Sequence, residues 1–170
     1  MGAIISVDPG RTGGVAWRVG EWRAVPMPVD DDGQVSFLAL RELFTGIVVC
    51  SQTLNDSMPV AVVENIGMRP KQAGVINMVA NWQKIFDALA ASGIETVDVV
   101  QPKRWQKGIV DRDPLPTAGP ERRPEIVRRY CAYAVNQFCG VDLTPGRRKK
   151  PHDGMCAALC IAEYGAKSLI

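Results

Sequence analysis

Long apolar runs are missing from this chain. The longest near-uniform one, Met155 to Ala162, is eight residues, well short of the roughly 20 that cross a bilayer, so no membrane contact is expected. No charged stretch precedes an apolar core at the start of the sequence, so a secretory signal is not expected either. Cysteine is sparse and uneven: five residues, at 50, 131, 139, 156 and 160, an odd number without tight repeated spacing. That argues against a disulfide framework and predicts reduced thiols in a cytoplasmic protein. Internal repeats are absent as well. What is present is ordinary globular material, 170 residues of which 46% are hydrophobic and 22% charged. This is too apolar for disorder, and the length predicts a single domain over residues 1–170.

The net charge of +2 conceals an asymmetry. Residues 1–100 hold 7 Lys and Arg against 11 Asp and Glu, a net of −4; residues 101–170 hold 13 against 7, a net of +6. The cations of the second part cluster at Lys103, Arg104 and Lys107, at Arg122, Arg123, Arg128 and Arg129, and from Arg147 to Lys150. A basic half joined to an acidic half fits a polyanion held against a site that needs carboxylates. Plain solvated surface is the alternative that charge counts alone leave open.

Ala3 to Val7 is a short β-rich run stopped by Asp8-Pro9-Gly10, because proline cannot continue a central ladder. Gly10 to Gly14 turns the chain, Val15 to Val19 returns, and Gly20-Glu21 turns it again into Trp22 to Met27. Three consecutive antiparallel strands are predicted. Asp30-Asp31-Asp32-Gly33 reads as a solvated loop. Phe37, Leu40, Leu43, Phe44, Ile47 and Val48 recur at helical spacing, predicting a core-facing helix over 36–50. Val60 to Glu64 fits a strand buried on both faces. A helix over 73–91 follows, ended by Ser92-Gly93, then a fifth strand over 96–100 closed by Gln101-Pro102. Four prolines between Gly108 and Pro124 predict an extended connection. A helix over 125–138, a basic loop over 140–150 and a final helix from about Pro151 to Tyr164 complete the order βββαβαβαα. The predicted fold class is α/β, a five-stranded mixed sheet with its first three strands antiparallel and helices on its faces.

Three acids stand out. Asp8 ends the first strand, Glu64 ends the buried fourth, and Asp153 lies in the first turn of the last helix. Burying an ionised carboxylate without a partner is costly, so acids that terminate core strands are usually paired or bound to metal. If the first and fourth strands are neighbours, Asp8 and Glu64 lie side by side, and a helix packed on that edge presents Asp153 to both. Such an oxygen-rich cage suits Mg²⁺ or Mn²⁺. Singly, each acid has a plainer explanation: Asp8 bonding turn amides, Glu64 pairing with a lysine, Asp153 favouring the helix dipole. The coincidence of three favours the metal.

At these residues the sequence resembles a family. Ile4-Ile5-Ser6-Val7-Asp8-Pro9-Gly10 followed by Thr12-Gly13-Gly14-Val15-Ala16 resembles the first strand motif of RuvC-type Holliday-junction resolvases. Val62-Val63-Glu64-Asn65 is similar to that family's second catalytic strand. Val100 to Lys107 resembles the segment that carries its DNA-contacting basic residues, and Lys150-Pro151-His152-Asp153-Gly154-Met155 resembles the start of its last helix. The resemblance implies a ribonuclease-H-like fold, a homodimer, and Mg²⁺-dependent hydrolysis of branched DNA with Mn²⁺ as a substitute, leaving 5′-phosphate ends. Asp8, Glu64 and Asp153 carry over as metal ligands. The family's fourth ligand, an Asp or His three residues before the last aspartate, is Lys150 here. His152 stands one residue before Asp153 instead, where a catalytic or metal role competes with capping or phosphate contact. The family's wedge aromatic after Glu64 is also replaced; Ile66 or Met68 is the apolar candidate. The short chain is most similar to relatives encoded by bacteriophages, which act in the bacterial cytoplasm.

Several other features have simpler readings. His152, Cys156 and Cys160 form one helix stripe, but a fourth zinc ligand is missing and small cysteines pack well on a sheet. Gly10 to Gly14 lacks the Gly-Lys-Ser/Thr of a P-loop, and no small-molecule cofactor is expected. Trp82 reads as core; Trp105, between Lys103 and Lys107, reads as a base-stacking residue. Lys103, Arg104 and Lys107, with Arg147, Arg148, Lys149 and Lys150 leading into Asp153, are the expected phosphate contacts. Together these readings predict a crossover-junction endonuclease of recombination and repair, dimeric through the helix over 73–91. A ribonuclease-H-like enzyme acting on RNA and a non-catalytic nucleic-acid-binding module are the alternatives.

Overall fold

The computed structural model describes residues 2–55, 57–67, 74–110, 115 and 119–168. Its elements run β1 (Ile4–Asp8), β2 (Gly14–Val19), β3 (Glu21–Pro26), α1 (Phe37–Asn55), β4 (Val60–Glu64), α2 (Val75–Ala91), β5 (Glu95–Val100), α3 (Pro102–Val110), α4 (Arg122–Gln137) and α5 (Asp153–Ser168). One sheet has the order β3-β2-β1-β4-β5. The first three strands are antiparallel, and β4 and β5 add in parallel beside β1. This is the predicted α/β mixed sheet.

The alternation of side chains along a strand sorts the core into two layers. Ile4 and Val62 join Met155, Leu159, Tyr130 and Trp105 on the face covered by α3, α4 and α5. Ile5, Val7, Ala61 and Val63 join Leu40, Phe44, Ile85 and Leu89 under α1 and α2. On β1, Ser6 belongs with Ile4, and its Oγ donates to the Ala158 carbonyl at 2.5 Å, tying β1 to α5. The same alternation carries Asp8 to the α5 face, and Glu64 follows Val62 to it.

Three differences from the sequence reading have physical causes. A helix not predicted, α3, follows Gln101 and takes in the first residues of the connection expected from Gly108. Pro102 opens it, where the absent N–H has no helical partner to lose. Its only apolar anchors before the end are Trp105 and Ile109, too few to register as periodicity. Helix α4 starts at Arg122, three residues earlier than expected, because Pro124 falls in the first turn and so is tolerated there. Helix α1 runs on to Asn55, and its span Phe37–Leu54 is long and apolar enough by length and composition to cross a membrane. Counting uninterrupted runs missed this because Arg41 and Glu42 break the run. In the fold Leu40, Phe44 and Ile47 of this helix are buried against the sheet. Residues 111–114 and 116–118 of the proline-rich segment, and Met68, lie outside the described residues.

Candidate active site

The β1–β4 register pairs Ser6 with Val62 and Val7 with Val63, so the next residues, Asp8 and Glu64, emerge together at the same end of the sheet. Their carboxyls are hydrogen-bonded to each other. Burial first, then the charge of Glu64, this hydrogen bond and the charge of Asp153, push the Asp8 carboxyl well above the usual carboxylate range; Arg123 opposes them. Glu64 is also raised by burial, but the hydrogen bonds from Trp105 and Asp8 favour its ionised form. The interaction between the two raises Asp8 and lowers Glu64, so Asp8 is the acid of the pair that takes up a proton more readily.

Asp153 arrives from the other side of the chain. His152 N–H donates to the Leu143 carbonyl at 2.7 Å, which fixes the entry into α5. The opening of α5 then packs backbone to backbone on the β1–β2 turn. A Cβ on Gly14 would stand 2.7 to 2.8 Å from Gly154 and Met155 backbone atoms, and one on Gly154 would overlap the Thr12 and Gly13 backbone. Glycine at 13, 14 and 154 is what brings the first residue of α5 to the end of β1. Asp8, Glu64 and Asp153 all line one cavity of about 400 Å³, with Thr12 and Gly13 on one wall and Trp105, Arg123 and Tyr130 on another. The sequence-predicted triad is thus gathered into a single cavity. Among the described residues, no three His, Cys, Asp or Glu side chains stand in a cluster that would hold a metal as it is. The Asp153 carboxylate remains 52% exposed, with Oδ1 4.0 Å from His152 Nδ1.

The donor chemistry fits a hard divalent cation. Burial opposes charge on both Asp8 and Glu64, and repulsion from Glu64 adds to it at Asp8, so the pair is short of a counter-cation, and the acids of the cavity offer only oxygen.

Trp105 occupies a place the sequence reading did not give it. Its ring is 2% exposed, its Nε1–H donates to Glu64 Oε1 at 2.8 Å, and it meets Tyr130 edge-on with centroids 5.6 Å apart. A ring buried in this way has no free face for a base, which corrects the expectation of stacking. Trp82 Nε1–H reaches the Glu64 carbonyl at 3.4 Å, so two indoles brace the same residue. Only the position of Trp105, one turn into an unrecognised helix, signalled this.

His152 faces elsewhere. It is 5% exposed and does not line the cavity; its Nδ1 accepts the Met155 N–H at 3.4 Å, and its carbonyl accepts the first helical bond, from Cys156 at 3.0 Å. These are the bonds of a helix N-cap. Burial, then the Arg148 charge, lowers its pKa, consistent with an unprotonated acceptor nitrogen. Cys156 and Cys160 are fully buried in the core.

The cations expected to meet phosphate are exposed: Lys103, Arg104 and Lys107 on α3, and Arg147, Arg148, Lys149 and Lys150 in the loop before α5. Arg104 and Lys107 border a cavity of about 530 Å³ that shares Trp105 with the carboxylate cavity. Arg148 and Lys150 border another that shares Asp153 with it. Cations therefore flank the acids on two sides. Ile66, one candidate for an apolar wedge, lines the carboxylate cavity.

No protein-family profile matches the chain, and no curated protein matches it in sequence. Solved structures do match. "T. thermophilus RuvC in complex with Holliday junction substrate" superposes with a TM-score of 0.57 at 12% identity, covering 98% of this chain and 93% of that one. The shared fold is ribonuclease-H-like. "Thermus thermophilus RuvC structure" gives a TM-score of 0.47 at 15% identity, covering 97% and 95%. The first of these matches the fold over nearly the whole of both chains.

Proposed function

We propose that the protein is a divalent-metal-dependent endonuclease that cuts branched DNA, four-way junctions foremost, as a homodimer. The observation that carries this is the geometry of three acids: Asp8 and Glu64 side by side at the ends of adjacent parallel strands, with Asp153 lining the same cavity. An ion pair or a turn would satisfy a single acid; neither explains three acids gathered on one cavity. The RuvC fold supports the same reading, since the matched structure is of RuvC with its Holliday junction substrate.

In this reading Asp8, Glu64 and Asp153 would hold Mg²⁺, with Mn²⁺ as a substitute, the exposed Asp153 side chain turning toward the pair. The bound ion supplies Lewis-acid polarisation of the phosphate and activation of the attacking water. Trp105 keeps Glu64 oriented and favours its ionised form. Arg123 on the cavity wall, with the cations of α3 and of the 147–150 loop, holds the flanking phosphates. Hydrolysis leaves 5′-phosphate ends, and two symmetric cuts on a four-way junction call for two copies of the chain. Helix α2 offers the contact, since Ile76 and Val79 on it are exposed, Ile76 at 80%.

The test is incubation with a labelled four-way junction in Mg²⁺, Mn²⁺ and EDTA, beside linear duplex and RNA–DNA hybrid. Metal-dependent paired nicks confined to branched DNA are expected. Preferred cutting of the hybrid would make the enzyme an RNA-directed nuclease, and salt-dependent junction binding without product would make it a binding module.

A further inference from the structure

Beside the carboxylate cavity lies a larger groove, a space of about 880 Å³ between α4 and the 147–151 segment. The two share Arg123, Val127 and Asp153, so they are continuous at the acid that opens α5. The floor of the groove is apolar, formed by Val127, Cys131, Ala132 and Val135 along one side of α4. Val135 is 44% exposed. Its rim is cationic: Arg123, Arg128, Arg148 and Lys150, all exposed. Arg128 is held in place by two 2.8 Å hydrogen bonds to Glu125. Asp153, at the junction with the carboxylate cavity, is the only acid on the lining among the described residues.

An apolar floor under a cationic rim selects an occupant with both characters. Duplex DNA offers its backbone to the rim, but its base faces are stacked inside and cannot reach the floor. An unstacked nucleotide offers both at once. Its phosphate meets the rim, its base lies on the aliphatic side chains, and guanidinium planes are good stacking partners for bases. Continuity through Asp153 places that nucleotide next to the phosphate held at the acids.

We propose that this groove binds an unstacked nucleotide of single-stranded DNA adjoining the phosphate to be cut. The proposal rests on the nuclease reading above and adds a structural requirement to it, that the strand be unpaired beside the cleavage point.

The test is fluorescence anisotropy of the full chain in EDTA with a short labelled oligothymidylate and an abasic deoxyribose-phosphate strand of the same length. Thymidylate should bind about tenfold tighter, equivalent to about 1.4 kcal/mol. Val135→Asn should abolish that ratio with an unchanged melting temperature, and Ala132→Gln, exposed on the same side of α4, should do the same. Arg148→Ala should weaken both strands alike. Equal affinities for the two strands, or a ratio that survives both floor variants, would overturn the proposal. So would binding to phosphatidylserine vesicles in place of DNA. If the junction is still bound and cut while the ratio is absent, the groove assignment alone falls. If the ratio behaves as expected but no junction is cut in any metal, the nuclease reading falls and the groove stands.

Discussion

Trp105 donates its indole N–H to Glu64 Oε1 across 2.8 Å, from a helix 41 residues further along the chain. The bond does two things. It fixes the rotamer of an acid at the end of a buried strand, and it favours the ionised form of Glu64 against the burial that opposes it. Removing the N–H therefore touches the chemistry, whereas removing only a stacking surface would not.

Trp105→Phe keeps a buried ring against Tyr130 and deletes the donor. Junction cleavage should fall roughly 10- to 100-fold, the usual cost of losing a group that orients a ligand, with a stability loss of about 1 kcal/mol. Initial rates and thermal melts on the same preparation check it. Cleavage undiminished in the phenylalanine variant would show that Glu64 needs no such support.

What the sequence made legible follows from what is local. Asp8-Pro9-Gly10 and Ser92-Gly93 are punctuation that any context would honour, and Gly93 does take a positive φ of 70° as the chain leaves α2. The strand neighbours of Val60 to Glu64 are not local. Sequence alone made the meeting of Asp8 and Glu64 conditional on β1 and β4 being adjacent, and the parallel register supplies that condition. Trp105 was misread because flanking lysines mark exposure of a segment, not of each residue in it; on a helix, Lys103 and Lys107 point out while Trp105 turns in. The glycine contacts between residues 13, 14 and 154 were invisible because both glycine sites also read as ordinary turn and helix-start residues.

The raised proton affinity of Asp8 has a sign that can be tested without substrate. A carboxyl whose folded-state pKa lies above its ordinary 3.8 destabilises the fold when ionised. That cost is full above the raised pKa and vanishes as the pH falls below 3.8. In metal-free buffer the protein should therefore gain stability from this site as the pH is lowered from neutral, and Glu64 contributes with the same sign. Glu125 acts oppositely: Arg128 and Arg129 hold it down to about 2, so its stabilisation is present above 4.5 and is lost only as the pH falls from there toward 2. Above pH 4.5 the active-site trend stands alone of the two. Asp8→Asn should remove Asp8's share of that trend, stabilise the metal-free protein at neutral pH by roughly 1–2 kcal/mol, and abolish cleavage. Denaturant titrations across pH check this, and an asparagine variant less stable than the parent at neutral pH would contradict it.

His152 separates capping from proton transfer by substitution. As an N-cap acceptor for Met155 N–H, it can be replaced by asparagine, which caps helices well. His152→Ala should lose about 1–2 kcal/mol of stability from the cap alone. His152→Asn should recover part of that and cut junctions within a few-fold of the parent. If the imidazole instead moves a proton in the reaction, the asparagine variant would fold normally and lose roughly 10²- to 10⁴-fold in rate.

The placement of Asp153 depends on an absence of side chain one residue later. A Cβ at Gly154 would run into the backbone of Thr12 and Gly13 on one side, and Gly14 is equally closed by Gly154 and Met155 on the other. Neither obstacle is the end of a flexible side chain, so relief requires α5 to back away from the β1–β2 turn. Gly154→Ala gains up to about 1 kcal/mol in helix propensity but loses roughly 1–3 kcal/mol or more to overpacking, so the melting temperature should drop. Cleavage should drop further than stability does, because the same displacement carries Asp153 away from Asp8 and Glu64. Rates measured well below the melting temperature distinguish the two effects. An alanine variant that melts lower yet cuts at the parental rate would mean that the position of Asp153 is not set by this contact.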